Sequence, residues 1–197
     1  MKLVIVKYNA GNVQSVSFAL ERLGVSFSIS DQPDEIQSAD KVLFPGVGEA
    51  STTMQFLKEK KLDLLLPALK QPFLGICLGM QLMCRYSEEN NTACMGIFDE
   101  SVIKFNPTPT QKVPHMGWNE LALTEGWLDP TLEGKHVYFV HSYYVPVGKH
   151  TSAVANYIDP FSAAIHRDNF YAVQFHPEKS ADAGELVLKS FLKIGNV

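Results

Sequence analysis

Two short stretches carry residues with chemical potential. In residues 72–81 an apolar run, Pro72, Phe73, Leu74, Gly75, Ile76, leads into Cys77, with Leu78, Gly79, Met80 and Gln81 following. Glycines two residues either side of the cysteine suit a strand, a tight turn displaying the thiol, and a helix packed closely behind it. A helix N-terminus there favours the thiolate, the nucleophilic form. The second stretch lies about a hundred residues later, where Phe175, His176, Pro177 and Glu178 end an apolar run. Pro177 fixes its own φ and restricts His176 to extended geometry, so imidazole and carboxylate leave the strand end in defined directions. Either stretch alone fits a packed cysteine or a satisfied histidine. Together they supply a nucleophile, a base to take its proton, and a group to orient that base.

The rest of the chain has to position them. Its 197 residues, 46% hydrophobic and 19% charged, suffice for one well-buried domain, taken as residues 1–197. A formal charge of -4 offers no basic footprint, and Lys58, Lys60 and Lys61 are the sole basic cluster, so nucleic acid is not an expected partner. No segment reaches the roughly 18 apolar residues that span a bilayer, and residues 1–6 are too brief for a signal sequence, so no membrane association and a cytoplasmic location are expected. Cys77, Cys84 and Cys94 lack paired metal spacing and suit reduced thiols; no metal is expected.

Residues 3–6 read as a strand, followed by a polar loop and a helical stripe of Val13, Val16, Ala19, Leu20 and Leu23 that stops at Gly24. Strands are expected at 25–29, 42–44 and 73–76, and helices near 35–38, 50–57 and 63–70, with the helix after Cys77 continuing through Cys84, Arg85 and Tyr86. This alternation predicts an α/β fold with a parallel sheet and flanking helices, its ligand site beyond the carboxyl ends of the strands. After Ser87 the runs at 102–105, 121–123, 137–145, 153–157, 163–166 and 171–175 read as added antiparallel strands, and 185–194 as a closing helix.

The two chemical stretches, together with Pro45-Gly46-Val47-Gly48, Pro114-His115-Met116-Gly117-Trp118-Asn119 and Tyr138-Phe139-Val140-His141-Ser142-Tyr143, make the chain resemble the class I glutamine amidotransferases. The resemblance implies a flavodoxin-like fold with a central, mostly parallel sheet and antiparallel strands in the C-terminal half. It implies L-glutamine as substrate, Cys77 as nucleophile, His176 as general base and acid, and Glu178 as its orienter, with no cofactor. Backbone N–H groups of Leu78 and of Val47 or Gly48 would form the oxyanion hole. Gln81, Glu89, His141, Ser142 and Tyr143 would hold the substrate's α-amino and α-carboxylate groups. From the residues alone, Glu88 and Glu89 read as a solvated face after a helix.

The 114–119 run narrows the resemblance to glutaminase subunits that pass ammonia to a separate cyclase, which is a (β/α)8 barrel of histidine biosynthesis, in a heterodimer. Asn12, Met116, Trp118, Tyr138 and Lys179 match positions toward that partner, although composition alone would place Trp118 and Tyr138 in the core. The resemblance also implies little turnover before the cyclase binds. Lys7 and Asn9 stand where the family more often has aspartate and glycine, and Cys84, Arg85 and Tyr86 where Leu, Phe and Glu types are usual. Three other readings compete: an ammonia donor for a different synthase, a catalytically silent binding module, and a cysteine peptidase. The intact triad residues argue against the second, and Leu78, where such peptidases place histidine, against the third.

Overall fold

The computed structural model describes residues 1–8, 13–123 and 126–195. Four apolar residues buried on both sides form β1 (Leu3–Val6), as a central parallel strand requires. The stripe that follows forms α1 (Val13–Arg22), closed by Gly24 in a left-handed conformation with its N–H on the Glu21 carbonyl. Next come β2 (Phe27–Ser30), α2 (Pro33–Gln37), β3 (Lys41–Phe44) and α3 (Ala50–Glu59). The Glu49 carboxylate caps α3 by accepting from the Ser51 and Thr52 N–H groups. Then follow α4 (Leu62–Ala68), β4 (Phe73–Ile76), α5 (Leu78–Met83), β5 (Cys84–Ser87), β6 (Thr92–Ala93) and β7 (Phe98–Lys104). The C-terminal part adds β8 (His115–Glu120), β9 (Ala122–Leu123), β10 (His136–His141), β11 (Tyr143–Tyr144), β12 (Thr151–Asn156), β13 (Pro160–Arg167), β14 (Phe170–Val173) and α6 (Ala181–Lys193).

The main sheet runs β2-β1-β3-β4-β14-β13-β12-β9, its first five strands parallel and the remainder antiparallel. Alternate residues of β1 face opposite layers. Leu3 and Ile5 join Val16, Leu20, Val187 and Phe191 in one core, while Val4 and Val6 join Ile36, Met54, Leu57 and Leu66 in the other. A ribbon of β8 and β10, and a small sheet β11-β7-β5-β6, stand beside the C-terminal ends of the parallel strands.

Three expectations need correction. The run 171–175 is not simply an added antiparallel strand: β14 pairs in parallel with β4 from Phe170↔Phe73 to Val173↔Ile76 and antiparallel with β13. It is the fifth strand of the parallel set, delivered late because the antiparallel excursion is inserted before it. The run 137–145 is not one strand. It breaks at Ser142 into β10, paired with β8, and β11, paired with β7. The helix after Cys77 ends at Met83, and Cys84, Arg85 and Tyr86 are extended in β5. Pairing with β6 and β7 there overrides the local helical preference, and Cys84 is packed and fully buried.

Lys41 is a buried cation at the start of β3. Its Nζ donates to the Phe191, Leu192 and Ile194 carbonyls, closing the C-terminal end of α6. Charged donors on such carbonyls contribute about 1.5–3 kcal/mol each. Lys41→Met should therefore lower the urea midpoint by an equivalent of roughly 1–3 kcal/mol, because other donors compensate in part. Urea unfolding of the two proteins followed by circular dichroism checks this.

Candidate active site

The nucleophile turn begins where β4 ends. Cys77 takes φ +53° and ψ −109°, a conformation that L-residues rarely adopt and that lifts the side chain off the strand. Close packing holds it there. A Cβ on Gly79 would overlap the Phe44 carbonyl, and one on Gly46 would overlap Gly79 N, so glycine is required at both positions. The Cys77 N–H donates to the Val173 carbonyl at 2.7 Å, continuing the β4–β14 ladder into the turn.

That ladder brings the second stretch alongside. His176 and Glu178 follow β14 directly, with Pro177 opening a 3-10 turn, Pro177–Lys179. The His176 N–H donates to the Tyr138 carbonyl at 2.9 Å, and Ser180 Oγ both donates to the His176 carbonyl and accepts from Tyr138 N–H. The imidazole is thus fixed through its backbone by β10. Its Nδ1 donates to Glu178 Oε1 at 2.8 Å, with both side chains almost completely buried. This leaves Nε2 without a hydrogen-bond partner. Burial pulls the His176 pKa down, but the charge and nearby sulfur of Cys77 and the Glu178 carboxylate outweigh it and hold it above the ordinary value. His176 therefore keeps a proton through neutral pH.

A cleft of about 360 Å³ opens over the cysteine, lined by Val47, Gly48, Cys77, Leu78, Gln81, Glu89, Pro114, Val140, His141, Ser142, Tyr143 and His176. All five expected substrate-binding residues lie on it, and Pro114 and Val140 join them. Glu89 is on a 3-10 turn after a strand, not after a helix. Its Oε2 accepts from Ala50 N–H at 2.8 Å, and burial raises its pKa. Two of the three expected oxyanion donors, Val47 and Leu78, are engaged within the protein. Val47 N–H donates to the Tyr8 hydroxyl at 3.0 Å, which donates back to the Val47 carbonyl, and Leu78 N–H points to the Gly46 carbonyl at 3.4 Å.

Behind the cleft two more histidines form a chain whose proton positions follow from its ends. The Tyr143 carbonyl only accepts, so His141 Nδ1 donates to it at 2.7 Å and Nε2 is an acceptor. His115 Nδ1 therefore donates to that Nε2 at 3.2 Å, and its own Nε2 receives Asn119 Nδ2 at 3.4 Å. Burial lowers the His115 pKa to about 4. It likewise takes His141 to about 3, the Tyr143 hydrogen bond opposing and the charges of His115 and His176 assisting. Both are neutral at physiological pH.

On the other face of β8, Met116 and Trp118 are 63% and 54% exposed. Trp118 is thus not a core aromatic. It meets Tyr138 edge-on at 6.1 Å across the β8–β10 ladder, and Lys179 Nζ lies 5.9 Å from the Tyr138 ring. Four of the five partner-facing candidates form one patch; Asn12, like Asn9, lies outside the described residues. Sequence reading missed Gln174, whose amide donates to Cys77 Sγ at 3.6 Å. The available signal was its place two residues before His176 in an extended segment, where side chains share a direction. Among the described residues no His, Cys, Asp and Glu cluster could hold a metal ion, and no helix is long and apolar enough to cross a membrane.

Because Glu178 helps hold the His176 proton, Glu178→Gln should move the imidazole pKa down toward its ordinary value. Stability from that proton is present below the ordinary imidazole pKa and lost as pH rises through the raised one, so the variant should lose stability at neutral pH. An NMR titration of His176 Cε1–H checks the first expectation, and urea unfolding at pH 7 the second.

The comparisons agree with this architecture. The family described as glutamine amidotransferase class-I matches residues 4–194. The chain is 56% identical to imidazole glycerol phosphate synthase subunit HisH of Bacteroides fragilis (strain YCH46) over 98% of this chain and 100% of that protein. It is 57% identical, at the same coverage, to the HisH subunit of Bacteroides thetaiotaomicron, and 44% identical to a subunit named HisH 2 of Campylobacter jejuni (strain RM1221) over 98% of both. Among solved structures, a glutamine amidotransferase superposes with a TM-score of 0.76 at 18% identity, covering 98% of this chain and 99% of its own. A putative GMP synthase protein of Thermoplasma acidophilum reaches 0.74 at 19%, covering 98% and 93%. A strained cysteine turn, a strand-end His–Glu pair and full-length likeness on this scale have one reading: the chain belongs to the class I glutamine amidotransferase family, among the HisH subunits of imidazole glycerol phosphate synthase.

Proposed function

We propose that residues 1–197 act as a single glutaminase domain, the amidotransferase subunit of imidazole glycerol phosphate synthase in the cytoplasm. It hydrolyses L-glutamine and passes the ammonia to a cyclase subunit that uses it in histidine biosynthesis. The observation that carries this reading is the buried pairing of His176 with Glu178 beside Cys77, at the base of a cleft of glutamine size.

The cycle follows from the proton positions. With His176 protonated on both nitrogens, Cys77 stands beside it as the thiolate, and its sulfur bonds to the carboxamide carbon of glutamine. As the tetrahedral intermediate collapses, His176 gives its Nε2 proton to nitrogen, the C–N bond breaks, and ammonia leaves a γ-glutamyl thioester. His176 then takes a proton from water, hydroxide adds to the thioester carbon, and the C–S bond breaks to restore the thiolate beside protonated His176, while the new carboxyl group loses its proton to solvent and leaves as glutamate. Glu178 keeps the Nδ1–H tautomer throughout. The cycle as written uses no metal or cofactor.

Charge on the tetrahedral oxygen needs donors, and two of the three expected ones are engaged elsewhere in this structure. Val47 N–H is held by Tyr8, and Leu78 N–H by Gly46. This supports slow turnover until partner binding rearranges the glycine loop. Ammonia released to water at neutral pH is mostly protonated, so a dry handover to the cyclase preserves its reactivity. The patch of Met116, Trp118, Tyr138 and Lys179 is the surface assigned to that handover.

Cys77→Ala should abolish glutamine hydrolysis yet still co-elute with the cyclase in gel filtration; retained hydrolysis would remove the nucleophile assignment. Trp118→Ala should weaken the complex about tenfold or more, as exposed interface aromatics do, with titration calorimetry as the measure. Tyr8→Phe frees Val47 N–H and should raise the rate without cyclase, so that the ratio of stimulated to basal rate falls in steady-state assays.

A further inference from the structure

Gln174 follows β14 directly, is wholly buried, and takes no part in the cycle above. Its amide has only one satisfactory orientation. Gln81 Nε2 donates to the Tyr143 carbonyl at 2.9 Å and to Gln174 Oε1 at 3.0 Å, which uses both of its N–H groups. The Tyr143 carbonyl also receives His141 Nδ1–H, so it cannot be reassigned as a donor. Reversing Gln174 would set two NH₂ groups against each other. Its oxygen therefore faces Gln81, and its Nε2 faces Cys77 Sγ at 3.6 Å. The sulfur thus meets an N–H donor that is outside the triad.

We propose that Gln174 is a hydrogen-bond donor to the Cys77 sulfur that stabilises the thiolate, with Gln81 as the positioning residue that locks it in the donating orientation. This rests on Cys77 being the glutaminase nucleophile. An N–H on sulfur is stronger when the sulfur is charged. The thioester sulfur is neutral, so the bond weakens on acylation and strengthens again as the C–S bond breaks and the thiolate departs. The donor consequently acts on the resting nucleophile and on the leaving sulfur of deacylation. The other groups against Cys77 are His176, Tyr8 and the Val140 carbonyl, 4.0 Å from the sulfur, and none of them is on the Gln174 side chain.

The test is alkylation of Cys77 by iodoacetamide in the full chain, where the thiolate displaces iodide; mass spectrometry of the Cys77 peptide separates it from Cys84 and Cys94. Gln174→Met removes the donor, and Gln174→Glu keeps an acceptor for Gln81 while placing a carboxylate against the sulfur. At pH 6.5 the first should react about fivefold to tenfold more slowly than wild type, the size of one hydrogen bond of ordinary net strength, and the second more slowly still. By pH 9.5 the rates should converge, whereas a purely structural loss would change both pH values alike. Wild-type rates at pH 6.5 in Gln174→Met, or equal changes at both pH values, overturn the proposal. If neither variant folds, the wild-type protein decides: the ¹⁵N–¹H signals of the Gln174 side chain must shift in Cys77→Ala, and unchanged signals overturn it. Glutamine hydrolysis by wild type with its cyclase is measured alongside. Its absence would sink the glutaminase reading, whereas the alkylation rates judge the Gln174 contact independently.

Discussion

The parallel pairing of β4 with β14 is the constraint on which the site depends. It sets Val173 beside Ile76 and passes one further hydrogen bond, from Cys77 N–H to the Val173 carbonyl, into the nucleophile turn. Cys77 and His176 belong to segments about a hundred residues apart, yet their separation is decided by two adjacent strand ends and two short turns. Strand ends embedded in a sheet with core on both faces do not drift, so Cys77 and His176 inherit the precision of the sheet. The strained φ at Cys77 is tolerable because Gly46 and Gly79 let Phe44 and the helix behind close over it.

Three buried histidines near the cleft show how environment assigns roles to one residue type. His176 is held protonated by the sulfur and the carboxylate around it, whereas His115 and His141, among aromatic rings with only neutral partners, are held neutral. A neutral His141 spares the cleft a second cation close to the base. It also commits its Nδ1–H to the Tyr143 carbonyl, which makes it part of the framework rather than a rival proton carrier.

Much of this is legible in the sequence where local pattern and chemistry agree. The triad stretches, the β-α alternation through residue 76 and the Gly24 helix stop are signalled by residues close together in the chain. What escapes depends on long-range pairing. Cys84, Arg85 and Tyr86 carry no local strand signal and become extended because β6 and β7 pair with them. The break at Ser142 is marked in the run 137–145 only by the polar pair His141 and Ser142, too weak a signal among apolar and aromatic residues to show a change of sheet. Gln174 stands inside a recognised stretch, but a donor to sulfur can be seen only once the acceptors around its amide are known. Composition misplaces Trp118 because an aromatic residue's burial is set by which side of its strand the core occupies.

That last point bears on how such chains can change length. β8 assigns its residues by parity: His115 and Asn119 turn inward to the histidine chain, Met116 and Trp118 outward. One residue added or removed inside the strand would exchange the two sets, setting a tryptophan against the histidines and a histidine on the open surface. The polar segment 106–112, which leads into the strand, carries no such parity. Insertions and deletions should therefore collect in that segment, leaving the strand itself fixed in length, so that aligned lengths alone would mark the strand whose two faces cannot be exchanged.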